Sequence, residues 1–114
     1  MTVIKDLAGR TAVITGAGRG LGHALATRFA DAGARIVALD LGPALDGIPP
    51  SWEGVALDLT DPGAYDLLRE TAARLGQASV VVANAGLVPP WRGVAELDAE
   101  EWHRVMTVNV WGVA

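Results

Sequence analysis

Apolar positions along the chain alternate between two spacings. Short runs rich in β-branched residues, at positions 11–15 (TAVIT), 35–40 (RIVALD), 55–59 and 79–83 (SVVVA), read as strands. Longer stretches with helical spacing separate them. Residues 20–32 form the first, with Leu21, Leu25, Phe29 and Ala32 on one stripe and Gly33 as the stop. A second helix is predicted from Pro62, capped by Asp61, to about Leu75; proline suits a first helical position because its missing N–H would be unpaired there anyway. A last helix starts at a capping-box-like Asp98 and Glu101, carries Trp102, Val105, Met106 and Val113 on one stripe, and still runs at Ala114. Residues 41–51 are rich in glycine and proline and predict no helix.

Strand–helix alternation implies a parallel sheet with helices on both faces, a Rossmann-like doubly wound α/β fold. Right-handed crossovers favour the strand order 3-2-1-4, with the direction of winding reversing between the first and fourth strands. Ligands bind at such a reversal, outside the carboxyl ends of the strands. The fourth strand is apolar enough for burial on both faces, and without a fifth neighbour it would be an exposed apolar edge.

Thr15-Gly16-Ala17-Gly18-Arg19-Gly20-Leu21-Gly22 leaves the first strand and opens the first helix. Gly16 permits a tight turn, Gly20 leaves the backbone open to a pyrophosphate, and Gly22 lets the helix approach the sheet. The helix N-terminus supplies N–H groups and partial positive charge for phosphates. An ordinary structural turn is the alternative reading of these glycines. A phosphate-loop NTPase is disfavoured because neither Lys-Ser nor Lys-Thr follows Gly22. Asp40 ends the second strand, 18 residues past Gly22, where a carboxylate can accept hydrogen bonds from the adenosine ribose of NAD and repel the extra phosphate of NADP. Arg19 is the counter-signal, since a cation in the loop suits that phosphate. Asp40 weighs more, because burying a carboxylate beside a phosphate costs more than leaving an arginine solvated.

Composition narrows the partners. Half of the 114 residues are apolar and a fifth are charged, as in a globular chain, and the net charge of −4 argues against nucleic acid or an anionic membrane. The absence of cysteine excludes disulfides and thiolate metal sites and fits a cytoplasmic location. No secretory leader is visible in residues 1–10, and no apolar run reaches the roughly 18–20 residues that span a bilayer. His23 and His103 lack a second ligand at metal spacing, so no metal is expected. The single tyrosine, Tyr65, has Arg69 four residues on, but both lie on the helix before the fourth strand and read as ordinary helix residues. Ser51 and Ser79 have no catalytic context. The tryptophans read as packing residues, Trp91 being the one near the ligand side.

These motifs together make the chain resemble the short-chain dehydrogenase/reductase family over its whole length. Thr15, Gly16, Gly20 and Gly22 match the family's Thr-Gly-x-x-x-Gly-x-Gly pattern. Asp58, in Leu57-Asp58-Leu59-Thr60-Asp61, matches an aspartate that contacts adenine. Asn84-Ala85-Gly86 matches the Asn-Ala-Gly motif closing the fourth strand, and Asn109, in Val108-Asn109-Val110, matches the active-site helix asparagine. The resemblance implies an NAD-dependent oxidoreductase passing a hydride between nicotinamide and an alcohol or ketone. Cofactor contacts are expected at Thr15, Gly16, Arg19, Gly20, Leu21, Gly22, Asp40, Asp58, Leu59, Asn84, Ala85 and Gly86. Asn109 is the expected catalytic residue; it shares the stripe of Trp102, Val105 and Met106 and should face inward. In the family this asparagine bends its helix and holds a water in the proton relay.

The resemblance is partial in two ways. The family's serine, tyrosine and lysine belong to a fifth strand and its following helix, so residues 1–114 are expected to be the NAD(P)-binding half of a longer chain, ending before that catalytic segment. The family's usual helix between the second and third strands is also missing; residues 41–52 are short and hold Pro43, Pro49 and Pro50. A homodimer or homotetramer is implied, with residues 98–114 in the interface. The alternative from a different class is a non-catalytic dinucleotide-binding module or a degenerate remnant.

Overall fold

The computed structural model describes residues 6–76, 78–88, 90, 93–96 and 98–111. Four parallel strands form one sheet in the order β3-β2-β1-β4: β1 Thr11–Thr15, β2 Arg35–Asp40, β3 Glu53–Ala56 and β4 Val80–Val82. Helix α1, Gly20–Asp31, carries the chain from β1 to β2, and α2, Ala64–Leu75, carries it back from β3 to β4. Helix α3, Ala99–Met106, continues into a π-helical turn at Thr107–Trp111. The predicted fold class and strand order are therefore present.

Period-two alternation divides the sheet's side chains between two faces. Ala12, Ile14, Ile36 and Ala38 point to one face and pack with Ala17, Ala26 and Trp52; Phe29, Leu45, Ile48, Val80 and Val82 close around them. Val37 and Leu39 are buried on the other face, where α2 lies. That second face is covered less well. Val81 is 70% exposed, against the expectation that the fourth strand is buried on both sides. Among the described residues, β4 has one strand neighbour, β1, and α3 makes no close backbone contact with the strands or with α2. The expected apolar edge is thus visible.

Several boundaries and faces differ from the sequence-based expectation. β3 covers residues 53–56 rather than 55–59, because its ladder with β2 ends at the Asp40–Ala56 pair. α2 starts at Ala64, not Pro62: the Asp61 carboxylate accepts the Gly63 N–H at 2.9 Å and makes a turn instead of capping the helix. A 3-10 turn at Gly42–Leu45 occupies the connection that predicts no helix. On α1 the face against the sheet is that of Gly22 and Ala26, and Leu21 is 69% exposed. Small residues let the helix backbone come close, which rotates the larger Leu21 away from the interface. The stripe on α3 is also open, with Trp102 60% and Met106 41% exposed, while Val113 and Ala114 lie outside the described residues. Asp98 caps α3 through its side chain, accepting from the Glu100 N–H at 3.0 Å.

Candidate cofactor cleft

Parallel register brings Thr15, Asp40 and the segment after Val82 to one end of the sheet. The turn after β1 is held from two sides. The Gly16 N–H donates to the Leu39 carbonyl at 2.7 Å, and Gly16 has φ +68°, a left-handed conformation that glycine adopts without strain. The Thr15 hydroxyl accepts two N–H bonds, from Asn84 and Ala85, each at 2.9 Å. The Asn84 amide returns two bonds, to the carbonyls of Thr15 at 3.2 Å and Gly16 at 3.3 Å. Asn84 therefore ties the loop after β4 to the loop after β1. A Cβ on Gly22 would stand 2.3 Å from the Gly16 carbonyl oxygen and 2.5 Å from the Asn84 amide nitrogen. Only a glycine fits there, and its absence of side chain sets the close packing of α1 on this turn.

The turn opens into a cleft of about 820 Å³ at the carboxyl ends of the strands. Gly16, Arg19, Asp40, Asp58, Leu59, Asn84, Ala85 and Gly86 line it, all of them residues that the sequence singles out. Thr15 and Gly22 stand behind the wall as supports. Gly20 and Leu21 are exposed in the first turn of α1. That helix begins after an extended Arg19, with no side-chain capping bond.

The two carboxylates differ in setting. Asp40 is half-buried; its Oδ2 accepts the Gly18 N–H at 2.9 Å and its Oδ1 accepts the Leu41 N–H at 2.8 Å. An ionised carboxylate has about four acceptor positions, so capacity remains for further hydroxyl donors. Asp58 is exposed. Its Oδ1 accepts both the Thr60 hydroxyl, at 2.6 Å, and the Thr60 N–H, at 2.9 Å. The hydroxyl bond first, and then the backbone bond, hold the Asp58 carboxyl below its ordinary value of 3.8, with slight burial opposing them.

Asn109 lies in the π turn after α3 and is exposed, not turned inward with a buried stripe. The π turn changes the phase of the helix at Thr107 and brings the amide to Leu87 instead. There Oδ1 accepts the Leu87 N–H at 2.7 Å and Nδ2 donates to the Leu87 carbonyl at 2.9 Å. The pair binds the end of the last helical segment to the strap after β4.

Sequence reasoning missed part of the lining. His103, Arg104, Thr107 and Val108 border the cleft from α3 and its π turn. Their one signal in the sequence is that they share a helical segment with Asn109, a signal that the apolar stripe on that helix masks. Leu39, Leu41, Leu57, Thr60 and Leu87 line the cleft as well, and Gly18 is a further omission, since its N–H holds Asp40. Tyr65 is 56% exposed on α2 and does not line the cleft, as expected of an ordinary helix residue. His23 packs on Trp52 with ring centroids 5.0 Å apart. Trp91 lies outside the described residues. Among the described residues there is no cluster of three or more His, Cys, Asp or Glu that could hold a metal, and no helix is long and apolar enough to cross a membrane.

Comparison with known proteins gives a consistent picture. A family model described as short chain dehydrogenase matches residues 10–114. A 1-deoxy-11-beta-hydroxypentalenate dehydrogenase of Streptomyces avermitilis is 42% identical over 113 residues, covering 89% of this chain and 41% of the relative. A cis-4-hydroxycyclohexanecarboxylate dehydrogenase of Sinomonas cyclohexanicum is 36% identical, covering 96% of this chain and 47% of the relative. The chain thus spans less than half the length of these two relatives. Among solved structures, a 3-ketoacyl-(acyl-carrier-protein) reductase from Brucella melitensis complexed with NADH superposes with a TM-score of 0.82 at 32% identity, over 95% of this chain and 47% of that one. A short-chain type dehydrogenase/reductase from Mycobacterium marinum gives 0.84 at 30% identity, over 99% and 50%.

Proposed function

Since the chain belongs to the short chain dehydrogenase family, we propose that it is the dinucleotide-binding half of an NAD-dependent oxidoreductase acting on an alcohol or ketone. One observation carries the reading: a single cleft at the carboxyl ends of the strands gathers the glycine turn, Asp40, Asp58 and Asn84. Its volume of about 820 Å³ falls within the roughly 300–1,000 Å³ usual for small-molecule sites. In this reading Thr15, Gly16, Arg19, Gly20, Leu21 and Gly22 seat the pyrophosphate with backbone N–H groups and the partial charge of the α1 N-terminus. Asp40 accepts from the ribose hydroxyls, and Asp58 with Leu59 borders the adenine. Asn84, Ala85 and Gly86 form the floor below the dinucleotide.

The cofactor, when bound, supplies the hydride chemistry. The protein supplies position. With its amide engaged by Leu87, Asn109 acts by fixing the strap after β4 against the π turn, and so supports the proton relay. The family's serine, tyrosine and lysine would come from chain beyond residue 114. Two relatives are named for hydroxylated carboxylic acids, so hydroxy acids head the substrate panel. Assembly as a cytoplasmic homodimer or homotetramer, through residues 98–114, completes the reading.

Titration of the full chain with NADH and NADPH, followed by a panel of alcohols and ketones, tests it. Tighter binding of NADH and turnover of at least one substrate class are expected. Tighter NADPH binding refutes the cofactor assignment; binding without any turnover leaves a non-catalytic dinucleotide-binding module.

A further inference from the structure

The short connection between β2 and β3 has no part in the reading above; much of it is exposed, yet Leu45, Ile48 and Trp52 anchor it to the core. Three successive turns close it: Ala44 N–H to Leu41 O at 3.0 Å, Ile48 N–H to Leu45 O at 3.3 Å, and Trp52 N–H to Pro49 O at 3.0 Å. Leu45 and Ile48 join the core cluster, and Trp52 is only 8% exposed. The Trp52 ring lies tilted by 44° on His23, which projects from the second turn of α1. The His23 Nδ1 is buried and has no hydrogen-bond partner among the described residues. Packing on the indole, not a polar bond through Nδ1, therefore holds this imidazole.

The far end of the same connection presses on the glycine loop. A Cβ on Gly18 would stand 2.3 Å from the Ala44 carbonyl oxygen and 2.8 Å from the Ala44 Cβ. Gly18 in turn donates its N–H to Asp40 Oδ2 at 2.9 Å, while Leu41, at the start of the connection, donates to Oδ1 at 2.8 Å. The connection thus joins the His23–Trp52 stack at one end to Gly18 and Asp40 at the other, with Leu45 and Ile48 between them packed against the core cluster that includes Trp52. A carboxylate held by two backbone donors loses both bonds if it turns aside. An aspartate without them can rotate away from an incoming anion, and Arg19, which lines the same cleft, could then meet that anion.

We propose that the Gly42–Trp52 connection is a specificity clamp: Trp52, seated on His23, holds the 3-10 turn against Gly18 and so fixes Asp40 in the orientation that excludes a 2′-phosphate. His23, Trp52 and Gly18 are positioning residues, since they act on the dinucleotide through Asp40. The inference rests on the reading of Asp40 as the ribose contact.

Fluorescence titration of the full chain with NADH and NADPH tests the clamp, with the ratio of the two Kd values as readout. Loss of general stability moves both constants together; loss of the clamp moves their ratio. His23→Ala and Gly18→Ala should each lower the preference for NADH by roughly tenfold, the low end of the worth of one hydrogen bond to a charged group. His23→Phe keeps an aromatic ring on Trp52 and should retain the wild-type ratio. Should His23→Ala fail to fold, as judged by circular dichroism, Gly18→Ala carries the test alone. An unchanged ratio in a folded Gly18→Ala protein, or a His23→Phe ratio as relaxed as that of His23→Ala, overturns the clamp while leaving the cofactor reading intact. A wild-type chain that prefers NADPH, or binds neither dinucleotide, overturns the cofactor reading itself.

Discussion

Replacing Thr15 by valine removes one oxygen and keeps the branched shape that suits a central strand. The hydroxyl is the acceptor for two backbone N–H groups, those of Asn84 and Ala85, both at 2.9 Å. Both of its lone pairs are used, and valine offers none. A fully buried donor left unpaired costs about 1–3 kcal/mol. These donors are half-buried at the wall of the cleft, so water reaches them in part and the lower limit applies to each. The pair together then costs about 2 kcal/mol. In urea unfolding of the full chain, with a slope near 2 kcal/mol/M, the midpoint should fall by about 1 M with the slope unchanged. Thr15→Ser keeps the acceptor and should recover most of that loss. The valine variant should also bind dinucleotide more weakly, because the loops after β1 and β4 lose two of the bonds that join them. A valine variant within about 0.2 M of wild type would refute the reasoning and leave the latch to the Asn84 amide alone.

Three further outcomes follow from the same structure. The Asp58 carboxyl is held below 3.8 in the folded chain, so its contribution to stability is present above that value and is lost as pH falls through the lower folded one. Thr60→Val removes the largest cause and should raise the Asp58 pKa toward 3.8 in a carbon-13 NMR titration; an unmoved titration curve contradicts the assignment. Glu53 bridges Arg74, at 2.5 Å, and Arg35, at 3.7 Å, with both arginine side chains about half exposed. Glu53→Gln should therefore cost less than about 1 kcal/mol in chemical denaturation, with salt reducing the difference; a loss of several kcal/mol would mean the triad is not solvent-screened. Tyr65→Phe should leave dinucleotide affinity and turnover of the full chain within about twofold of wild type, since a neutral change on an exposed helix position outside the cleft touches nothing reactive. A loss of turnover there would make Tyr65 a participant after all.

Where one local rule sufficed, the sequence was readable to the residue. β1 and β2 coincide with their β-branched runs because both are central strands, flanked on each side by another strand. The glycine turn was readable because its glycines meet different demands: a left-handed turn at Gly16 and the close approach of α1 at Gly22. Asp40 was legible from its position at the end of β2, and Asp58 from its match to the family pattern; both line the cleft. Errors begin where two signals compete. The apolar alternation of Val55, Leu57 and Leu59 continues beyond the end of β3, while the strand ends where its partner does, at Asp40. Asp61-Pro62 reads equally as a helix start or a turn, and the Asp61 bond to Gly63 decides for the turn.

The remaining errors share a physical origin, which is that apolarity marks what a residue prefers and not how near a backbone must come. Leu21 outranks Gly22 on any hydrophobic scale, yet the distance between α1 and the Gly16 turn excludes even a methyl group at position 22. The helix therefore presents its small residues and leaves the leucine outside. Gly18 escaped notice for the same reason: its role depends on a carbonyl at Ala44, 26 positions later, that returns through a connection with no periodic pattern. On α3 the inference failed in the opposite sense. A stripe of Trp102, Val105 and Met106 has helical spacing, but spacing names a face without naming its cover, and two of the three stay largely exposed. The π turn then carries Asn109 off that stripe and onto Leu87, where two backbone bonds fix its amide. Asp40, Asn84 and Asn109 at this cleft are set by hydrogen bonds to main-chain groups, and such bonds leave no periodic trace in a sequence.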